Sequence, residues 1–243
     1  MKAVLKKEFK ENLLKAVIET ALLSGIAATL IPFGYKILGS LETQIPMVMQ
    51  KYGELFAKLK DLNFFIASQW FGKNLLELAI LFAIINGIGI IAGESERKTA
   101  IFLFSKPISR RSIYCAKIIV ATVYTVVPIA ISTFLILLFA KTVPQHINYV
   151  LFLKLLTESI FASSLTVVLS GAVSIVIDDR IKGGFILVVA IIGAVFLSKI
   201  KMFRFLNYTL LFTGDFARSI TFSLVGIALL VILSIHLIDR KEF

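Results

Sequence analysis

From Ile118 to Ala140 the sequence runs for 23 residues without a charged side chain. A helix that crosses a bilayer needs about 20 mostly apolar residues. Five further blocks read the same way. Lys15 to Lys36 encloses one charge, Glu19, and Asn74 to Gly93 encloses one, Glu77. Ser159 to Ile177, Gly183 to Ser198 and Ser219 to Ile238 contain no Lys, Arg or carboxylate. The apolar residues come in blocks and do not alternate, which argues against barrel strands. The predicted fold class is all-α: a polytopic membrane protein of six transmembrane helices. The predicted spans are 15–36, 74–93, 117–140, 155–177, 183–199 and 219–238, in a single transmembrane domain over 1–243. An amphipathic interfacial helix is expected over 1–14, and a short cytosolic helix between helices two and three.

Composition supports that class. Hydrophobic residues make up 58% of the chain and charged ones 17%, against about 45–50% and about 25% in soluble domains. The net charge of +11 would suggest nucleic acid in a soluble protein. In a chain of apolar blocks, basic residues flank spans and face anionic headgroups, so no nucleic-acid partner is expected. Fifteen of the 26 Lys and Arg fall on the side that carries both termini, in the shorter segments. The positive-inside rule then puts both ends in the cytosol of a multi-pass plasma-membrane protein. The first block lacks a convincing cleavage site and is read as a retained helix. One cysteine, Cys115, excludes an internal disulfide.

Between the spans, Leu5, Phe9 and Leu13 recur every fourth residue among Lys6, Lys7, Glu8, Lys10 and Glu11. That pattern suits either a helix lying in the headgroup layer or a charged extension of the first span. Residues 37–73 contain Pro46, then Tyr52, Leu55, Phe56, Leu59 and Leu62 at helical spacing, then Phe64, Phe65, Trp70 and Phe71. They are expected to form an outer amphipathic helix with an interfacial aromatic cluster. Phe203, Phe205, Tyr208 and Phe212, interleaved with Lys201 and Arg204, suggest a short re-entrant hairpin. Small residues recur every fourth position in Ala21–Gly25–Thr29, Ala162–Thr166–Ser170–Ser174 and Ala190–Ala194–Ser198, the packing signal of helical bundles.

Catalytic motifs are missing. The sequence has no G-x-x-x-x-G-K-[ST], no H-E-x-x-H and no G-x-S-x-G, so neither a phosphate cradle nor a familiar hydrolytic site is encoded. The chain is therefore expected not to be an enzyme and to bind no metal. Acids near or within spans can mark a transport path. Glu19 and Glu158 are the candidates, and they are the basis of an alternative reading as an ion-coupled secondary transporter or channel. Each has a Lys four residues earlier, Lys15 and Lys154, as Glu77 has Lys73, and pairing along the helix is expected. Thr122, Thr125, Ser132, Ser163, Ser164, Thr166 and Ser170 either line a path or pack helices.

The most informative segment runs from Gly93 to Lys117. A polar start, Glu94, Glu96, Arg97 and Thr99, leads into Ile101, Phe102, Leu103 and Phe104. Pro107 stops that element, Ile108 follows, and Ser109 is placed to cap a helix continuing through Arg110, Arg111 and Lys117. A short apolar helix between charges is either a docking knob for a partner or an interfacial helix against lipid. The residues alone leave both open.

This segment resembles that of ABC-2-type transporter permeases, whose loop reads roughly E-x-x-x-G-T, a few apolar residues including Leu, S-x-P-[IV]-S-R, then a Lys heading the next span. Glu94, Thr99, Leu103, Ser105, Pro107, Ile108, Ser109, Arg110 and Lys117 match, while Lys98 stands in place of the glycine and Ala116 in place of the glycine before the Lys. The basic amphipathic start, with Leu5, Lys6 and Phe9, is similar too, as is the six-span layout. The resemblance implies an exporter-type permease subunit that pairs with a second permease copy, the same or paralogous, in contact with membrane lipid. It implies docking on a separate cytosolic ABC ATPase subunit. The loop would be the coupling helix, formed by Glu94, Glu96, Arg97, Thr99, Phe102, Leu103, Pro107, Ile108, Arg110, Arg111 and Lys117. No cofactor is then bound by this chain, and ATP and Mg belong to the partner.

Overall fold

The computed structural model describes residues 2–38, 53–54, 57–105, 107–200, 208–213 and 215–241, and among them there is no strand. Pro46, Lys51, Tyr52, Leu55, Phe56, Lys201, Phe203, Arg204 and Phe205 lie outside the described residues. Helix α1 spans Lys2–Thr29 and runs on through a π-helical turn, Leu30–Tyr35. Helix α2 spans Leu62–Ile88 with a π-helical stretch at Ile66–Asn74. Short helices α3, Ala92–Glu96, and α4, Ala100–Phe104, follow. Then come α5, Arg110–Ala140, α6, Tyr149–Val176, and α7, Arg180–Leu197. The last are α8, Leu210–Thr213, and α9, Phe216–Arg240. Six of these, α1, α2, α5, α6, α7 and α9, are long and apolar enough to cross a membrane, as the apolar blocks require.

Helix starts are written in the sequence. The side chains of Asp61, Ser109, Asn148, Asp179 and Asp215 each accept a backbone N–H in the first turn that follows. These oxygens satisfy donors that a helix start otherwise leaves unpaired. Ser109 therefore does start the helix of the third span.

Three expectations need correction. The stretch 2–14 is not a separate helix: α1 continues unbroken from Lys2 to Thr29. Phe9 packs edge-on against Tyr124 of α5, ring centroids 5.3 Å apart, and Leu5 packs on the buried patch of Ala16, Val120 and Tyr124. Contact with α5 covers Leu5 and part of Phe9, while Leu13, the third residue of that face, is 55% exposed. The helix that carries the second candidate span begins at Leu62, ahead of 74, and ends at Ile88, short of 93. The aromatic cluster lies within this helix and, apart from the exposed Phe64, is core rather than interface. Leu62, Phe65, Trp70 and Phe71 are buried. Trp70 Nε1 donates to Thr133 Oγ1 at 3.1 Å, and Phe71 stacks on Phe152 at 6.2 Å. The sequence misleads here because a Trp with a polar tip suits an interface and a core equally, provided its N–H finds an acceptor. The third correction concerns the intrahelical pairs. Lys73–Glu77 and Lys154–Glu158 are not among the ion pairs of the described residues, while Lys15 and Glu19 attract each other without reaching ion-pair distance.

Helix α1 packs on α5, α6 packs on α2 and α9, and α6 holds the centre. Among the described glycines Gly87 has the least room: a Cβ there would meet Val167 O at 2.4 Å and Ser170 Cβ at 2.5 Å. The small-residue face of α6, Ala162, Thr166, Ser170 and Ser174, is buried. The α1 face is not: Ala21, Gly25 and Thr29 are exposed. On the third such face Ala190 is exposed, Ala194 half-buried and Ser198 buried.

Candidate functional site

The N-terminus, the segment 89–109, the turn at 177–179 and the C-terminus meet at one end of the bundle, and charge ties them together. Lys117 of α5 is 4% exposed. Its Nζ lies 2.7 Å from Glu8 Oε1 and 2.8 Å from Glu94 Oε1. Three elements, α1, α3 and α5, thus share one buried ammonium. Taking three charges from water is costly unless they are paired, and here one ammonium serves two carboxylates: it hydrogen-bonds Glu94 and lies in ion-pair contact with Glu8, whose Oε1 makes no hydrogen bond among the described residues. Burial raises the Glu94 carboxyl. The charge and hydrogen bond of Lys117 and the hydroxyl of Thr99 outweigh burial and leave it below its ordinary value. A second tie joins Glu96 to α7: Arg180 N–H donates to Oε1 at 2.6 Å and Arg180 Nε to Oε2 at 2.5 Å. These bonds hold the Glu96 carboxyl low as well.

Between the two ties the backbone turns sharply. Lys98 has φ of 56°. Lys98 N–H donates to Ser95 O at 3.0 Å and Thr99 N–H to Glu94 O at 2.9 Å. This pair of bonds closes a helix in the Schellman manner, whose left-handed residue is usually glycine. Lys98 occupies the position where the resembling loops carry glycine, so the left-handed turn is kept at a steric cost. Thr99 Oγ1 also bonds Glu94 Oε2.

The turn presents α4. Its inner side, Ala100 and Leu103, is buried, while Ile101 and Phe102 are 67% and 69% exposed. Leu103 is thus an anchor and Phe102 a projecting residue. Pro107 is exposed and Ile108 half-buried. Arg97 and Lys6 are exposed. Arg110 and Arg111 face the C-terminal helix: Arg110 Nη1 donates to Lys241 O at 2.6 Å, and Arg111 Nη2 lies 2.6 Å from Asp239 Oδ2. The two arginines brace the loop against α9. Lys241 in turn reaches Asp178 Oδ1 at 2.6 Å, which, with Ser95, holds that carboxyl low. Asp179 caps α7 through Lys182 N–H.

Residues 3–238 match the family described as ABC-2 family transporter protein. The chain belongs to this family. No curated protein matches it. Membership makes the chain a permease component of an ATP-binding-cassette transporter.

The intramembrane acids of this permease sit apart from the loop. Glu19 accepts from Asn86 Nδ2 at 3.0 Å, and Asn86 also donates to Thr125 Oγ1 at 3.0 Å, joining α1, α2 and α5. Lys15 donates to Ile85 O at 3.1 Å. Glu158 is buried, and its Oε2 has no hydrogen-bond partner among the described residues. The α5 and α6 hydroxyls turn back on their own helices. Thr125, Ser132, Ser163, Ser164, Thr166 and Ser170 each donate to the carbonyl four residues earlier, a packing arrangement that satisfies them without a path.

Sequence reading missed Glu8, Arg180, Asp178, Asp239 and Lys241 as partners of the loop. No fixed spacing links them to it, because they lie on three distant segments: the start of α1, the 178–180 turn and the end of α9.

Proposed function

We propose that this permease component is the exporter-type membrane subunit that couples ATP hydrolysis by a separate cytosolic ABC ATPase to substrate translocation, with α4 as the coupling helix. The carrying observation is the pairing of a tied base with an exposed apolar tip. Glu94 and Glu96 hold the loop to α5 and α7, and Ile101 and Phe102 project from it. A loop that transmits force must be stiff toward the spans and free toward its partner. The excess of basic residues at this end supports a cytosolic position for both termini in the plasma membrane. ATP and Mg belong to the ATPase, since this sequence carries no phosphate cradle. A second permease copy, identical or paralogous, is expected against the open small-residue face of α1.

Membranes containing the tagged chain should be gently solubilised and the co-purifying proteins identified. A stoichiometric partner carrying G-x-x-x-x-G-K-[ST] is expected. Recovery of the chain alone, active in liposomes without ATP, would overturn the proposal.

A further inference from the structure

Helix α7 is joined to the rest of the bundle by a narrow apolar strip and one polar tie. Of its residues only Gly183, Leu187 and Ile191 are buried, a single row at every fourth position. Leu187 and Ile191 pack on Ile84 and Ile88 of α2. Ile88 lies so close over Gly183 that a Cβ there would meet its Cδ1 at 2.7 Å. Between helices in lipid, apolar contact gains nothing by leaving water, so such a strip holds a span weakly. The tie is at the start of the helix, where Arg180 N–H and Nε both donate to Glu96. The other polar side chains at the two ends, Lys182, Ser198 and Lys199, find partners among the described residues only on α7 and its own caps. The most apolar window of α9 is buried no more than that of α7, yet α9 is fixed at both ends. Lys154 Nζ lies 6.0 Å from the Phe216 ring centre at its start, and Arg110, Arg111 and Asp178 bind residues 239–241 at its end.

We propose that α7 is the span that the 89–109 loop displaces, that Arg180 is the positioning residue that carries the movement, and that the Ile88–Gly183 contact is the point about which the helix tilts. The inference rests on α4 being the coupling helix. Glu96 grips the backbone of α7 as well as the Arg180 side chain, so a pull on the loop reaches the helix axis and is not absorbed by a flexible side chain. Asp179 caps the same turn through Lys182 N–H at 2.9 Å, which keeps that turn from fraying. Gly183 lies about 4.5 Å along the axis from Arg180, and Ile192 lies about 13 Å beyond Gly183. A loop shift of about 1 Å, ordinary for a switching element, therefore swings Ile192 by about 3 Å.

Spin labels test this in the complex co-purified with its ATPase and held in lipid nanodiscs. With Cys115→Ser removing the native thiol, labels at Ile192→Cys and Phe134→Cys read the distance from α7 to α5, and labels at Leu229→Cys and Phe134→Cys read that from α9 to α5. All three positions are exposed. Adding ATP and vanadate should shift the α7 distance by about 3 Å and leave the α9 distance in place. Arg180→Gln should keep the ATPase bound but lose the shift, and in the chain alone its α7 distance distribution should broaden. Lys182→Gln, in the same turn but outside the tie, should behave as wild type. Glu96→Arg/Arg180→Glu rebuilds the side-chain pair and should recover part of the shift. A bound ATPase with α7 unmoved, equal movement of α9, or an Arg180→Gln complex that shifts as wild type does would overturn this inference and leave the coupling reading standing. Wild type recovered without an ATPase would overturn both.

Discussion

At the scale of single residues, the protein depends on charges buried in matched sets. Lys117→Met leaves Glu8 and Glu94 buried without their cation. Breaking a buried pair from one side costs about 3–5 kcal/mol, and a thermal melt in detergent should show that loss. Lys98 is a smaller case. Its left-handed backbone costs a non-glycine residue about 1–2 kcal/mol, so Lys98→Gly should raise the melting temperature and Lys98→Val should lower it. A third outcome concerns acid. Glu94 and Glu96 both lie below the ordinary 4.5, so the folded loop favours their ionised forms. Their contribution is complete above about pH 4.5 and is lost as pH falls through the depressed values. Amide exchange over Ala100–Phe104 should therefore accelerate on acidification only below that point. Unchanged protection well below it would contradict the role given to the two ties.

At the scale of elements, Gly87 decides whether α2 and α6 can touch. Its missing Cβ leaves room for Val167 O and Ser170 Cβ. Gly87→Val should abolish the monodisperse peak in size-exclusion chromatography. Gly25→Val, with open space around it, should leave the fold of the single chain intact. The six helices were legible in the sequence because lipid admits only long uncharged blocks, and the caps at Ser109 and Asp179 were legible because a helix start needs an acceptor. Trp70 and Phe71 were misread. Their chemistry suits two environments, and only Thr133 and Phe152, distant in sequence, select the core. The loop was recognised by its motif, but its inner and outer faces were not separated. Leu103 and Phe102 are adjacent apolar residues, and only the fold turns one inward.

At the scale of the whole molecule, exposed surface is distributed unevenly. The most apolar windows of α7 and α9 bury little within the chain, while that of α6 is mostly buried. A central α6 with outer helices open to lipid or to a second copy fits a subunit of a larger assembly. Within it, the 89–109 segment is the place where motion at one end can reach several helices at once, through Glu94 to α1 and α5, through Glu96 to α7, and through Arg110 and Arg111 to α9. The most direct measurement compares co-purification of the P-loop ATPase by wild type and by Ile101→Asp/Phe102→Asp. These side chains are exposed, so the variant should insert and melt as wild type does. The expected result is loss of the ATPase with the permease intact. An ATPase retained in full by that variant would contradict the role assigned to α4.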